Sequence, residues 1–339
     1  MSPQAQLETP VVFVLFRRPD RTRRLFEAIR GARPKRLFLI ADGPRSGNAE
    51  ERLGCDQARE VVEDVDWPCE VTRDFAAENV GLKQRLPSGL DRVFSEVDRA
   101  IVLEDDCLPH ETFFRFCDEL LERYVDEERV MHVAGSQLLR NPPAWSASYH
   151  FSRYPHIWGW ATWRRAWRNF DLELREWHEF DRDAREARLR SLFADQSERS
   201  HWRYVWDNSR EIENWDAQWS YALLVREGLA ANPNRNLISN IGFGEDATNA
   251  IEDPHGIAAR PLEGIGFPLD HPESIERDEA ADARASLLFR RPESEPKPAR
   301  APLRHRAWAA TLRAGGRALD FVPAPIRPRI RHRDRGSPR

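Results

Sequence analysis

A chain of 339 residues with 40% apolar and 32% charged side chains can fill one large domain or two modest ones, and this composition excludes wholesale disorder. Its longest uninterrupted apolar run, Val11–Phe16, is far short of the ~20 residues that a membrane-spanning helix needs. The net charge of −4 excludes a global basic field for nucleic acid, although it is uneven: residues 299–339 carry eleven arginines against two aspartates, a local +9 that leaves −13 on the rest.

The segment Met1–Pro10 is polar and has no basic stretch ahead of an apolar one, so no cleaved secretory signal is expected. Pro10–Phe16 (PVVFVLF) reads as a buried strand. Asp20–Arg30 follows as a helix, with Leu25, Phe26 and Ile29 at helical spacing. Arg36–Ala41 (RLFLIA) is a second strand, ended by the turn signal Asp42-Gly43-Pro44. Asn48–Glu63 reads as a polar helix, Cys69–Phe75 as a weaker strand, and Lys83–Val97 as helical apart from Pro87. Arg99–Leu103 (RAIVL) is a strong strand that ends at Glu104-Asp105-Asp106. Glu111–Tyr124 is an amphipathic helix and Val130–Ala134 a further strand. This rhythm predicts an α/β fold with a mostly parallel sheet covered by helices on both faces.

The rhythm then breaks. Trp145–Asn169 is dense in aromatics, Glu173–Arg226 is charged and helical in period, and Gly228–Ser239 has room for two short strands. Beyond about Ala280 the pattern dissolves, and Pro292–Pro302 (PESEPKPARAP) reads as a linker. The four cysteines, Cys55, Cys69, Cys107 and Cys117, form no CxxC pair. They exclude a zinc ribbon, are too sparse for a disulfide scaffold, and are expected as reduced thiols of a cytoplasmic protein.

Ligands of an open parallel sheet collect beyond the carboxyl ends of its strands. Arg17-Arg18, Asp42 and Glu104-Asp105-Asp106 all fall at such ends. Three adjacent carboxylates repel one another, and a divalent cation would neutralise them. Oxygen ligands suit Mg²⁺ or Mn²⁺, which keep positions open for water and phosphate oxygens. Such an ion would bridge a diphosphate and stabilise negative charge on its departure. The plainer alternative is an acidic loop in which Asp106 favours the next helix N-terminus. Asp216, between Trp215 and Trp219, is either a general base whose pKa desolvation raises, or the N-cap of the run Tyr221–Val225. Trp158-Gly159-Trp160 is either a stacking wall for a sugar ring, with Gly159 admitting close backbone approach, or an aromatic mini-core under a loop. Gly242-Phe243-Gly244-Glu245-Asp246 lacks the third glycine of a dinucleotide fingerprint. There is no P-loop, GxSxG or HExxH motif. His132 and His156 read as structural, whereas His110 lies four residues past the acidic cluster.

With these segments in order, AIVLEDDCLPHETFFRFCDELL resembles the metal-binding strand, acidic motif and helix of GT-A glycosyltransferases. It is similar in particular to N-acetylglucosaminyltransferase I and to bacterial family-2-like nucleotide-diphospho-sugar transferases. VVFVLFRRPDRTRRLFEAI and LFLIADGPR are similar to the first two strands of that family, and IWGWATWRRAW and NWDAQW to its later Gly-Trp and Trp-Asp segments. The resemblance covers about Pro10 to Thr248 and implies a GT-A type, Rossmann-like fold over residues 8–285. Residues 10–135 would bind the nucleotide sugar, 145–250 would carry the acceptor side, and 286–339 would form a Pro/Arg-rich tail.

The resemblance further implies a UDP-sugar donor and Mn²⁺ or Mg²⁺. Arg18 would line the nucleotide pocket, and Asp42 would hydrogen-bond the uracil or ribose. Glu104 and Asp105 would contact the ribose and the donor, and Asp106 would coordinate the ion. Asp216 would deprotonate the acceptor hydroxyl, giving an inverting transfer. Lys83 would touch phosphate or be a plain surface lysine. Trp158, Gly159, Trp160 and Trp215 would face a glycan, lipid-linked or small-molecule acceptor. Where relatives carry a histidine after NIGFGED, this chain reads Ala247-Thr248-Asn249.

Two other readings compete. A Mg²⁺-dependent nucleotidyltransferase would carry a Gly-rich loop after its first strand, where this chain has Leu15-Phe16-Arg17-Arg18-Pro19. A non-catalytic sugar- or nucleotide-binding scaffold on the same fold is the other. The tail, with Arg304, Arg306, Arg313 and Arg317 near Leu303, Trp308, Leu312 and Leu319, reads as a basic amphipathic helix on an anionic inner membrane face, weakened by Gly315-Gly316, or as a solvated tail.

Overall fold

Val11–Leu15 (β1) places five apolar side chains alternately on the two faces of a sheet, and all five are buried. The computed structural model describes residues 6–139, 141–242 and 260–289. After β1 come α1 (Pro19–Ala32), β2 (Arg36–Ala41), α2 (Ala49–Val61), β3 (Glu70–Phe75), α3 (Leu82–Glu96) and β4 (Arg99–Glu104). Then follow β5 (Cys107–Pro109), α4 (Thr112–Arg123), β6 (Val130–Ala134), β7 (Tyr149–Ser152), β8 (Trp160–Trp163) and α5 (Arg164–Trp167). The helices α6 (Arg175–Glu179), α7 (Arg182–Leu192), α8 (Gln196–Asp207) and α9 (Asp216–Val225) lead to β9 (Leu229–Pro233), β10 (Ile238–Asn240) and α10 (Glu279–Ala285), with a 3₁₀ turn at Ser286–Phe289.

Eight strands form one sheet in the order β3-β2-β1-β4-β8-β6-β9-β7. The run from β3 to β4 is parallel, as is the pair β6–β9. Strand β8 runs antiparallel to both β4 and β6, and β7 runs antiparallel to β9. The architecture is therefore a mixed, mostly parallel α/β sheet flanked by helices, the Rossmann-like GT-A type expected from the sequence.

The alternation in β1 sets the two faces. Val11, Phe13 and Leu15 pack with Leu25, Phe26 and Ile29 of α1 and Phe113, Phe116 and Leu120 of α4. Val12 and Val14 pack on the opposite face with Leu86, Leu90 and Val93 of α3 and Trp219 and Leu223 of α9. A third cluster, with Trp177, Leu189, Trp202 and Trp206, joins α6, α7 and α8 beside the sheet. Among the described residues, no helix is long and apolar enough to cross a membrane.

Three features differ from expectation. The aromatic stretch supplies strands β7 and β8, with Trp160 and Trp163 on opposite faces of the sheet. Pro87 does not interrupt α3. It lies one turn inside the helix, where it removes only the amide that would bond the Lys83 carbonyl, and its ring is buried. Beyond Asp106, a two-stranded antiparallel sheet pairs β5 with β10, with Asn240 opposite Cys107.

Candidate active site

The carboxyl ends of β1, β2 and β4 open onto one cavity of about 870 Å³, walled also by the start of α3 and by the segment that leads into α9. Arg17, Arg18, Asp42 and all of Glu104-Asp105-Asp106 line it, so the three strand-end groups picked from the sequence meet in space.

Glu104 closes β4, and Asp105 and Asp106 form the turn into β5. Asp105 is buried; it accepts a hydrogen bond from the Phe16 amide at 3.3 Å. One Arg18 Nη1 stands 3.7 Å from both the Asp105 and the Asp106 carboxylates. This cation, with Arg21 further off, does not offset the crowding. Burial, then the Asp106 charge, pushes the Asp105 carboxyl up to about 6. Burial and the charges of Asp106, Asp105 and Asp216 push Glu104 well above the usual carboxylate range. The helix-cap alternative does not describe the triplet. Strand β5 intervenes, and α4 begins at Thr112 with Glu111 at its N-cap. His110 turns to the same helix start, its Nδ1 lying 2.9 Å from Thr112 Oγ1.

Asp42 is buried at the end of β2 and accepts four hydrogen bonds. Oδ1 takes the amides of Gly43 (2.8 Å) and Val80 (3.0 Å); Oδ2 takes Asn79 Nδ2 (2.9 Å) and the Gly81 amide (2.9 Å). An ionised carboxylate has about four acceptor sites, and the protein fills all of them. Asp42 therefore shapes the cavity by pinning the β3–α3 loop, whereas the resemblance implied a direct hydrogen bond to uracil or ribose. Asp42→Ala is expected to lose about 2–4 kcal/mol of stability in chemical denaturation, because several partly buried donors lose a charged acceptor. A loss below about 1 kcal/mol would show that the loop does not depend on it.

Lys83 also lines the cavity, but its ammonium donates to the carbonyls of Ser209 (2.7 Å) and Arg210 (3.0 Å). It ties α3 to the segment after α8, and burial lowers its pKa.

Asp216 is the first residue of α9, with Trp215 at the N-cap and no side-chain capping bond. It is half-buried, and burial lifts its carboxyl to about 6 against the pull of its own amide and that of Ala217. Its charge is among those that raise Glu104, but Asp216 is not among the residues that line the cavity; Glu213, Asn214 and Trp215 before it are.

The aromatic residues divide. Trp158 and Trp215 line the cavity, each almost fully buried. Trp160 is a core residue stacked on Trp215 (ring centroids 5.5 Å apart) and on His132 (5.2 Å). Gly159 has φ +57°, and a Cβ there would meet Ile238 Cδ1 at 2.4 Å, so its missing side chain makes room for β10. The wall and the mini-core suggested by the sequence are thus two sides of one aromatic layer.

Several lining residues were not singled out from the sequence. Asn79 holds Asp42, and Arg45 follows the Asp42 turn. Asn240 and Gly242 arrive with β10: Asn240 Oδ1 accepts the Gly242 amide at 2.8 Å, and the Ile241 amide donates to the Asp106 carbonyl at 2.7 Å. A Cβ on Gly242 would lie 2.2 Å from Asp106 Oδ2, so this glycine is a close-approach site. The GFG fragment was its sequence signal, and that segment reads equally as an acidic loop near the site or as a plain turn. Residues 243–259, with Gly244, Glu245, Asp246 and Ala247-Thr248-Asn249, and the tail 290–339 lie outside the described residues.

Among the described residues, no three His, Cys, Asp or Glu side chains converge on a point that could hold a metal ion. The donor chemistry still fits Mg²⁺ or Mn²⁺. These ions take one or two carboxylates and leave the remaining positions to water and substrate phosphates. All three acidic residues line the cavity, and Asp106, its side chain 25% exposed against 11% for Asp105, is the more open of the two aspartates.

No family model and no curated protein matches the chain. Among solved structures, it is similar to mannosyltransferase PcManGT from Pyrobaculum calidifontis in complex with GDP-Man and Mn²⁺, at 11% identity and TM-score 0.36, over 66% of this chain and 71% of that one. It is similar to residues 1–349 of TarS from S. aureus at 8% identity and TM-score 0.39, over 68% of this chain and 59% of that one. UDP-glucose pyrophosphorylase complexed with UDP-glucose gives 9% identity and TM-score 0.31, over 68% of this chain and 93% of that one. These distant likenesses fall on enzymes of differing activity and do not single out the N-acetylglucosaminyltransferase I family. The functional reading therefore rests on the site itself.

Proposed function

We propose that this protein is a metal-dependent glycosyltransferase that moves a sugar from a nucleotide-diphosphate sugar, a UDP-sugar in the first instance, to a hydroxyl of a glycan, lipid-linked or small-molecule acceptor. One observation carries the reading. The carboxyl ends of β1, β2 and β4 bring Arg18 and the acidic turn Glu104-Asp105-Asp106 into one cavity of about 870 Å³, with Trp215, the residue before Asp216, in its wall.

In this reading Asp106 would hold Mn²⁺ or Mg²⁺ together with the donor diphosphate. The ion, when bound, supplies positive charge to the departing diphosphate. Arg18 adds a fixed cation beside the same oxygens. The loop pinned by Asp42 and the N-terminal turn of α3 wall the nucleotide side. Trp158 and Trp215, each almost fully buried, back the cavity wall with an apolar edge against which the transferred sugar or the acceptor would sit. Asp216 takes the acceptor hydroxyl proton as the new bond forms, while the nucleoside diphosphate leaves from the opposite face, so the anomeric configuration inverts. A carboxylate with a pKa near 6 is a stronger base than an ordinary aspartate and is still ionised at neutral pH.

The test is a thermal-shift series with UDP, GDP, CDP and dTDP, each with and without Mn²⁺. A ligand that binds only the native state at 100 times its dissociation constant adds about 2.7 kcal/mol. Stabilisation that needs both nucleotide and Mn²⁺ is expected, followed by sugar transfer or slow donor hydrolysis. No shift with any nucleotide would overturn the reading and leave a scaffold without this activity. Release of sugar 1-phosphate from the donor in the presence of pyrophosphate would mark a nucleotidyltransferase instead.

A further inference from the structure

We propose that Arg45, anchored by the buried Glu51 and seconded by Arg17, selects donors whose nucleobase presents a carbonyl acceptor, uracil (O4) or guanine (O6), over cytosine and adenine, which present an amino group at that position. This inference rests on the reading of the cavity as a nucleotide-diphosphate-sugar site.

The sheet order supplies the direction. From β2 through β1 to β4, the strand tips present Arg45, then Arg17 and Arg18, then the acidic turn. Neighbouring strands lie about 4.8 Å apart, so the tips of β2 and β4 are about 10 Å apart. That is the order of the span from a nucleobase to its diphosphate. With the diphosphate at Asp106 and the sugar towards Asp216, the base falls at the β2 tip.

At that tip an arginine is fixed with unusual completeness. The Glu51 side chain is 0% exposed. Its Oε1 accepts Arg45 Nη1 at 2.6 Å and its Oε2 accepts the Arg45 amide at 2.8 Å. Glu51 is itself held, its amide donating to Asn48 Oδ1 at 2.9 Å at the N-cap of α2. Backbone and side chain of Arg45 are thus tied to one carboxylate. Arg17 Nε stands 3.7 Å from the same Oε1.

The Arg45 side chain is 55% exposed and lines the cavity. Among the described residues Glu51 is the hydrogen-bond partner of its guanidinium, which leaves further N–H donors for a ligand. Guanidinium has donors only. It matches O6 and N7 of guanine, or a uracil carbonyl, and it opposes the amino groups of cytosine and adenine. The charges agree: Arg45 and Arg17 balance Glu51 and Asp42 where the neutral base sits, and the carboxylate cluster faces the diphosphate with its ion.

Equilibrium binding of UDP, GDP, CDP and ADP in saturating Mn²⁺ tests this, with pyrophosphate as a base-free control. UDP or GDP is expected to bind at least roughly tenfold more tightly than CDP and ADP; comparing UDP with GDP separates the pyrimidine from the purine. Arg45→Lys keeps a cation opposite Glu51 but removes the planar fork of donors. It should bring the favoured nucleotide down to the level of CDP and ADP and leave pyrophosphate unchanged. Glu51→Gln, which removes the anchor and keeps the cation, should lower the same preference. Equal affinities in the native protein, or a preference that survives both substitutions, would overturn the proposal. So would a parallel loss of pyrophosphate binding, which would make Arg45 a phosphate contact. If no nucleoside diphosphate binds at all, the reading of the cavity fails and takes this inference with it.

Discussion

Asp216→Asn is expected to lower sugar transfer by ~10²–10⁴-fold, the usual contribution of a positioned general base, while nucleotide binding is retained. Asparagine keeps the shape of the side chain at the start of α9 but cannot take a proton. The pH dependence gives a second signature. Burial raises the Asp216 carboxyl to about 6, so the base is protonated below that value. Turnover should rise with pH through about 6, level off above it, and fall tenfold per unit on the acid side. Asp216→Asn should lose that limb. Full activity in the variant, or an unaltered limb in its residual activity, would remove Asp216 from the role.

The same pKa has a consequence for stability with a definite sign. The folded protein holds the Asp216 proton more tightly than the unfolded chain, whose aspartates titrate near 3.9. The ionised side chain therefore weakens the fold, an effect that grows as pH rises from about 4 and is complete above about 6. Asp216→Asn should be the more stable protein at pH 7–8, with the advantage fading towards pH 4. A variant that is inactive and yet more stable fits a site residue, whereas a structural aspartate would give the reverse.

The second large effect is expected from Asp106→Ala. Metal-dependent turnover should fall by several kcal/mol of transition-state stabilisation, two or more orders of magnitude. Thermal shifts with UDP should cease to respond to Mn²⁺. Removing this charge relieves the repulsion on Glu104 and Asp105, whose carboxyls then ionise more readily. Gly242→Ala should give a milder form of the same defect, because its Cβ would lie 2.2 Å from Asp106 Oδ2 and displace that carboxylate without changing its chemistry. Native metal dependence in Asp106→Ala would place the ion, if any, elsewhere.

The parts of the fold legible in the sequence are those set by local pattern. Arg36–Ala41 matches its predicted bounds because the apolar run LFLIA ends at the turn signal Asp42-Gly43-Pro44. The strand-end positions of Arg18, Asp42 and the acidic triplet follow from the same punctuation. What was not legible depends on distant partners. Cys107–Pro109 is a strand because β10 pairs with it, and nothing within three residues announces this. Trp160–Trp163 is a strand because β4 and β6 flank it, whereas its composition suggested a loop. The sequence also placed Asp42 at a strand end and left Lys83 between a phosphate contact and a plain surface lysine, but could not show that their polar atoms are occupied by Val80, Gly81, Ser209 and Arg210.

The position of β8 has a further consequence, for the order in which the molecule can be assembled. Strands β4 and β6 are near in sequence, yet they are joined only through β8, which comes later in the chain. During synthesis β1 to β4 can form a parallel sheet, but β4 remains an open edge until Trp163 has emerged. Pairing of this kind closes large loops before it gains contacts, and it slows folding. A chain truncated after Ala134 would carry β6 with no neighbour and β4 with a bare, strongly apolar edge, the arrangement that leads to edge-to-edge aggregation.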